Sequence, residues 1–145
     1  MRRVVVDASV VVKWLLPERE GERDVEKALH VLQLVKASEV RVYQPPHWLA
    51  EASAVVSKLS PATAREDIED LCEIGFDVIE TREVYVGACD LSCKLNHHLF
   101  DTLYHAVALV LDDAFLITAD ERYYRKAEKI GHIILLENIP RAVGS

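Results

Sequence analysis

Five short runs rich in aliphatic residues punctuate the chain: RRVVV at 2–6, VRVYQ at 40–44, FDVIE at 76–80, AFLIT at 114–118 and HIILL at 132–136. Longer amphipathic stretches of helical period separate them. Strands joined through helices return to the same end of a sheet, which makes them parallel, and the helices then cover its faces. The expectation is an α/β fold on a mostly parallel sheet. In 145 residues, with no repeat and no low-complexity segment, that is one domain spanning 1–145. The turn residues agree. Pro45 and Pro46 end the second run and open a helix, Ser60 and Pro61 repeat the device with Ser60 as the cap, and Gly75 and Gly131 stand where helices should stop.

In an open parallel sheet, ligands bind beyond the carboxyl ends of the strands. That rule gives four acids a shared meaning. Asp7 follows the first run and Asp120 the fourth; Glu51 comes early in the helix HWLAEASAVVSKLS, and Asp101 falls in the opening turn of HLFDTLYHAVALVL. Each also has a plain structural role open to it. Asp7 and Asp120 are good helix caps, and Asp101 suits the positive end of a helix dipole. Glu51 lies roughly 60° from the middle of the inward stripe of Trp48, Ala52, Val55 and Leu59, on its border. The helix around Asp101 is apolar almost all round, so that acid needs a partner, and no Lys or Arg on the helix provides one.

Convergence separates these readings. Two carboxylates ~5 Å apart repel by about 3 kcal/mol at an effective dielectric of 20, so four gathered at one edge oppose folding unless a cation neutralises them. All-oxygen ligation suits Mg²⁺ or Mn²⁺, as one ion or two.

The net charge of −7 argues against a broad basic surface that grips nucleic acid by phosphate contacts alone. It leaves room for a nucleic-acid enzyme, because cations held by acids meet phosphates locally. No apolar run approaches the ~20 residues of a membrane span. Asp7 and Lys13 interrupt what would be a secretory leader, and three cysteines without framework spacing fit a reducing cytoplasm. Two Asn, two Gln and one Met are few heat-labile side chains, which hints at a thermophilic source.

The segments VVVDASVVVKWL, PPHWLAEASAVV, HLFDTLYHAVAL and LITADERYYRKA, in this order and spacing, resemble PIN-domain ribonucleases, particularly the VapC-type toxins of toxin–antitoxin pairs, over essentially the whole chain. The resemblance implies a three-layer α/β/α sandwich. It also implies Mg²⁺- or Mn²⁺-dependent cleavage of single-stranded RNA that leaves a 5′-phosphate and a 3′-hydroxyl. Asp7, Glu51, Asp101 and Asp120 fall on the family's catalytic, metal-holding acids, and Ser9 and Thr118 on hydroxyl positions that orient carboxylates or waters. An antitoxin partner and a homodimer are implied as well. His105 is read as a supporting or core residue.

For the substrate, ERYYRKAEK interleaves Arg122, Arg125, Lys126 and Lys129 with Tyr123 and Tyr124, a pattern that grips phosphates and stacks bases or is simply a solvated face above core tyrosines. Arg122 is the first candidate to bind substrate and Lys13 the second. Other readings fit less well. A Mg²⁺-binding signalling domain wants adjacent acids after the first strand and a lysine after the last; a dehalogenase-like phosphatase wants Asp-x-Asp where Ser9 stands; a Walker loop is absent. A metal-free ribonuclease would draw on His47, His97, His98 and His132. Cys89, Cys93 and His97 have zinc-like spacing, but eight helical residues rise about 12 Å, too far to share an ion, and packing is the expected role of the cysteines. A non-catalytic PIN-like domain that binds RNA or protein is the remaining alternative.

Overall fold

The computed structural model describes residues 2–140. Among them five strands form one wholly parallel sheet: β1 (Arg2–Val6), β2 (Val40–Gln44), β3 (Asp77–Val78), β4 (Ala114–Thr118) and β5 (Ile133–Leu135), in the order β3-β2-β1-β4-β5. The seven α-helices are α1 (Ala8–Leu15), α2 (Val25–Lys36), α3 (Trp48–Leu59), α4 (Ala64–Ile74), α5 (Arg82–Leu95), α6 (Leu99–Leu111) and α7 (Glu121–Ala127). The expected α/β architecture is therefore the observed one, and each expected strand is found, although β3 shrinks to two residues at the sheet's edge.

Val4, Val5 and Val6 are all buried, because a central parallel strand is covered on both faces and has no solvent side to alternate with. β1 pairs with β4 from Arg3↔Ala114 to Val6↔Ile117, while its pairing with β2 stops at Val4↔Val42. β2 then turns to β3, pairing Tyr43 with Asp77 and Gln44 with Val78. The widening gap is closed by a side chain. Fully buried Gln44 accepts from the Val6 N–H at 2.9 Å and donates to the Val6 carbonyl at 2.8 Å, replacing the ladder bonds β2 no longer makes. Trp14, buried between α1 and α2, donates its indole N–H to Ala28 O at 2.7 Å. Among the described residues, no helix is long and apolar enough to cross a membrane.

Two expectations need correction. The helix expected from Pro61 begins only at Ala64: Ser60 ends α3, the Thr63 N–H bonds Ser60 O at 3.1 Å, and the intervening turn places Thr63 at the cap position. Helix α6 is also less enclosed than its composition suggests. It is buried from Thr102 to Ala108, but Leu99, Phe100 and Val110 are exposed. Asp101 consequently stands on an open shoulder rather than inside the core.

Candidate active site

The carboxyl ends of β1 and β4 lie side by side, and their first residues beyond the sheet are acids. The Asp7 N–H bonds Ile117 O at 3.0 Å, extending the ladder by one residue before α1 begins. Asp7 Oδ2 accepts from the Ser9 N–H at 3.1 Å, the Ser9 hydroxyl at 2.5 Å and the Thr118 hydroxyl at 3.4 Å. The same two hydroxyl oxygens accept from the next strand's exit: Ser9 Oγ from the Ala119 N–H at 3.0 Å, and Thr118 Oγ1 from the Asp120 N–H at 3.1 Å. Asp120 caps α7 through Oδ1, which accepts from the Tyr123 N–H at 3.0 Å. Both aspartates are thus genuine helix caps, and capping occupies only one oxygen of each. A cap and a ligand are compatible roles for one carboxylate.

Glu51, one turn into α3, reaches the same edge with 29% of its side chain exposed. Its Oε1 accepts from the Tyr104 hydroxyl at 3.0 Å, and its Oε2 lies 3.5 Å from His47 Nε2. His47 Nε2 donates to Phe100 O at 2.8 Å, tying the start of α3 to the start of α6. Asp101 meets the partner that its helix lacks: Oδ2 is 2.7 Å from His97 Nε2, in the turn between α5 and α6. Lys126 Nζ stands 3.2 Å from the other ring nitrogen. An ammonium only donates, so His97 Nδ1 accepts, Nε2 carries the proton, and the imidazole donates to Asp101.

The acids feel one another. Burial pushes the Asp7 carboxyl up to about 6, against the lowering pull of its two Ser9 hydrogen bonds, and the charges of Asp101 and Asp120 add to the rise. Burial likewise lifts Glu51 to about 7, opposed by the Tyr104 bond and reinforced by Asp7 and Asp101. Tyr104 is pushed upward by burial and then by Glu51, Asp7 and Asp101, so it remains a protonated donor. One ligand atom each from His97, Asp101 and Asp120 lie within 4.8 Å of one another. With both ring nitrogens of His97 engaged, the two carboxylates of this group are the ones free to ligate, and anionic oxygens suit a hard divalent cation.

Of the four acids expected at the site, Asp101 and Asp120 share the close group with His97, while Asp7 and Glu51 stand outside it but near enough to feel the charge of Asp101, and Ser9 and Thr118 link Asp7 to the chain entering Asp120. Of the two candidate cations, Arg122 is exposed near His97, but Lys13 is buried and paired with Glu22 at 2.6 Å. Its charge is committed within the chain. Tyr123 is a core residue, donating its hydroxyl to His105 Nδ1 at 2.8 Å, so it offers no face for base stacking. His105 Nε2 donates to Gly131 O at 2.8 Å, a buried bridge that agrees with a supporting role. Packing is not the role of the cysteines, because Cys72, Cys89 and Cys93 are all exposed. Sequence reasoning passed over Tyr104, and it weighed His47 and His97 only as acid and base of a metal-free ribonuclease, not as neighbours of the acids. The single signal in the sequence was that His97 and His47 stand four residues before Asp101 and Glu51.

No curated protein matches this chain. Among solved structures, a toxin–antitoxin complex from Klebsiella pneumoniae is similar at a TM-score of 0.64 and 13% identity, covering 92% of this chain and 97% of that one. The crystal structure of PAE2754 from Pyrobaculum aerophilum is similar at 0.65 and 19% identity, covering 94% and 90%. At such identities the likeness is one of fold. The family of the chain itself is fixed by its sequence: residues 4–129 match the PIN domain, and the chain belongs to that family.

Proposed function

We propose that this PIN domain is a nuclease that hydrolyses single-stranded RNA with the help of Mg²⁺ or Mn²⁺, and that it is the toxin of a VapC-type toxin–antitoxin pair. The observation that carries the reading is the approach of acids from residues 7, 51, 101 and 120 to one end of the sheet, where burial first and the neighbouring carboxylates second raise Asp7 and Glu51 above the usual carboxylate range. PIN domains are generally nucleases, and the acid-lined edge supports that activity here.

Asp7, Glu51, Asp101 and Asp120 would hold the ion. When bound, it supplies a water of lowered pKa and positive charge for the scissile phosphate and its leaving oxygen. Ser9 and Thr118 fix the rotamer of Asp7 by holding Oδ2, which leaves Oδ1 for the ligand. Tyr104 holds Glu51 in the same sense. His97 orients Asp101 by holding Oδ2. Preorganised acids of this kind need little rearrangement when ion and substrate arrive.

The Klebsiella neighbour is part of a toxin–antitoxin complex, which supports an antitoxin as the partner of this chain. The exposed side chains of Tyr85, Val86 and Val110 on α5 and α6 are apolar surface of the kind a second protein covers, and a homodimer belongs to the same reading. Three exposed free cysteines suit a reducing cytoplasm.

The test is RNA cleavage with Mn²⁺, with EDTA, and by Asp101→Asn. Cleavage only in the first condition is expected; cleavage that survives EDTA sinks the reading, as does full activity in the variant.

A further inference from the structure

Beside the acids lies ground of the opposite sign. An open cleft of about 440 Å³ separates the C-terminal end of α5 and the turn after it from α7, and its lining includes Asn96, His97, His98, Arg122 and Lys126. No carboxylate lines it, in a chain whose net charge is −7. Arg125, one turn along from Glu121, pairs with it at 3.7 Å, whereas Arg122 has no carboxylate partner among the described residues. Lys126 spends two of its three N–H groups, on Asn96 O at 3.0 Å and on His97 Nδ1 at 3.2 Å, and keeps one for a ligand. His97 belongs to both places, with one ring nitrogen against Lys126 and the other against Asp101.

We infer that this cleft is a phosphate subsite, in which Arg122 and Lys126 bind the backbone of the single-stranded RNA next to the phosphate held at the acids. The inference rests on the proposed nuclease activity for the placement of the strand. An RNA strand carries a charge at every nucleotide, and the acid cluster can accept one of them only through its dication. The neighbouring phosphate meets bare carboxylates unless a cationic surface receives it, and the cleft beyond His97 is such a surface. An acidic protein segment has the same sign as RNA but no need to reach the acids, so continuity through His97 favours the nucleic acid.

Salt dependence of binding reads the subsite apart from catalysis. With Ca²⁺ in place of Mn²⁺, so that the acids stay neutralised, the affinity for a labelled oligouridine is measured against NaCl concentration. Each phosphate contact contributes about 0.7 to the slope of log K on log salt for single strands. Arg122→Gln should flatten the slope by about 0.7 and Lys126→Gln by a similar amount, Lys126→Arg should restore it, and Arg65→Gln, on the distant and exposed surface of α4, should leave it unchanged. If Lys126→Gln fails to fold, Arg122→Gln alone decides, since that side chain supports no contact. An unchanged slope in Arg122→Gln overturns the subsite, as does an unaltered chain that does not bind the oligonucleotide. A polyglutamate affinity that depends on Arg122, beside an RNA slope that does not, also overturns it and assigns the cleft to a protein. Mn²⁺-dependent cleavage with an unchanged slope sinks the subsite and spares the nuclease; a flattened slope without cleavage does the reverse.

Discussion

The Tyr104 hydroxyl donates to Glu51 Oε1 across 3.0 Å, joining α6 to α3 at the mouth of the acid cluster. The phenol is fully buried, so it holds a single geometry and turns one oxygen of the glutamate away from the others. The bond lowers the Glu51 pKa against the larger effect of burial. Tyr104→Phe should therefore raise it further, cost about 1 kcal/mol of stability, and move the acidic limb of the pH–rate profile upward. The cleavage rate at neutral pH should drop roughly tenfold and recover in part at pH 9, which a pH series with saturating Mn²⁺ reads directly.

Stability without metal should fall as pH rises. Asp7 and Glu51 bind protons more tightly in the folded chain, at about 6 and about 7, than at their ordinary values of 3.8 and 4.5. Their contribution is present below pH ~4 and is lost as pH climbs through 6 and 7. Each is worth of the order of 2 kcal/mol after screening by the solvent that reaches both. Melting in EDTA should accordingly be several degrees lower at pH 7.5 than at pH 5.5, and millimolar Mn²⁺ should abolish or reverse the difference.

Asp7→Asn should raise the metal-free melting temperature at pH 7.5 by a few degrees while abolishing cleavage. It removes a buried charge, and an amide oxygen still accepts from Ser9. Asp101→Asn should gain less, because it relieves the same repulsion but gives up the charge-assisted bond from His97. Parallel melting curves of the two variants, in EDTA and in Mn²⁺, check both the sign and the order.

Lys13 should prove structural. Its ammonium and the Glu22 carboxylate are only 10% and 13% exposed, and Arg19 is a second partner of Glu22 at 3.1 Å. Lys13→Ala should cost roughly 2 kcal/mol in urea unfolding, most of it the penalty of an undercompensated Glu22, while the affinity for single-stranded RNA stays the same.

The fold was legible because its determinants are local. Three consecutive valines before Asp7, and the same apolar density in AFLIT, mark buried parallel strands whatever surrounds them. The four acids could be nominated for a topological reason: each follows a strand or opens a helix at the same end of the sheet. What the sequence concealed is contact between side chains far apart in the chain. Gln44 reaches Val6, Tyr104 reaches Glu51, and Lys126 reaches His97, and no periodicity encodes any of these. Lys13 was misjudged because its partner arises from the irregular segment between α1 and α2.

The strand order also sets the moment at which the acids meet. Asp7 and Glu51 leave the ribosome early, but Asp101 and Asp120 come from the last third of the chain, and β4 must dock on the free flank of β1 before Asp120 arrives. A nascent polypeptide cut short anywhere before β4 lacks Asp120 and the strand that delivers it to the edge. Under the proposed nuclease activity, this delay keeps the growing chain harmless to the message and the machine that are making it.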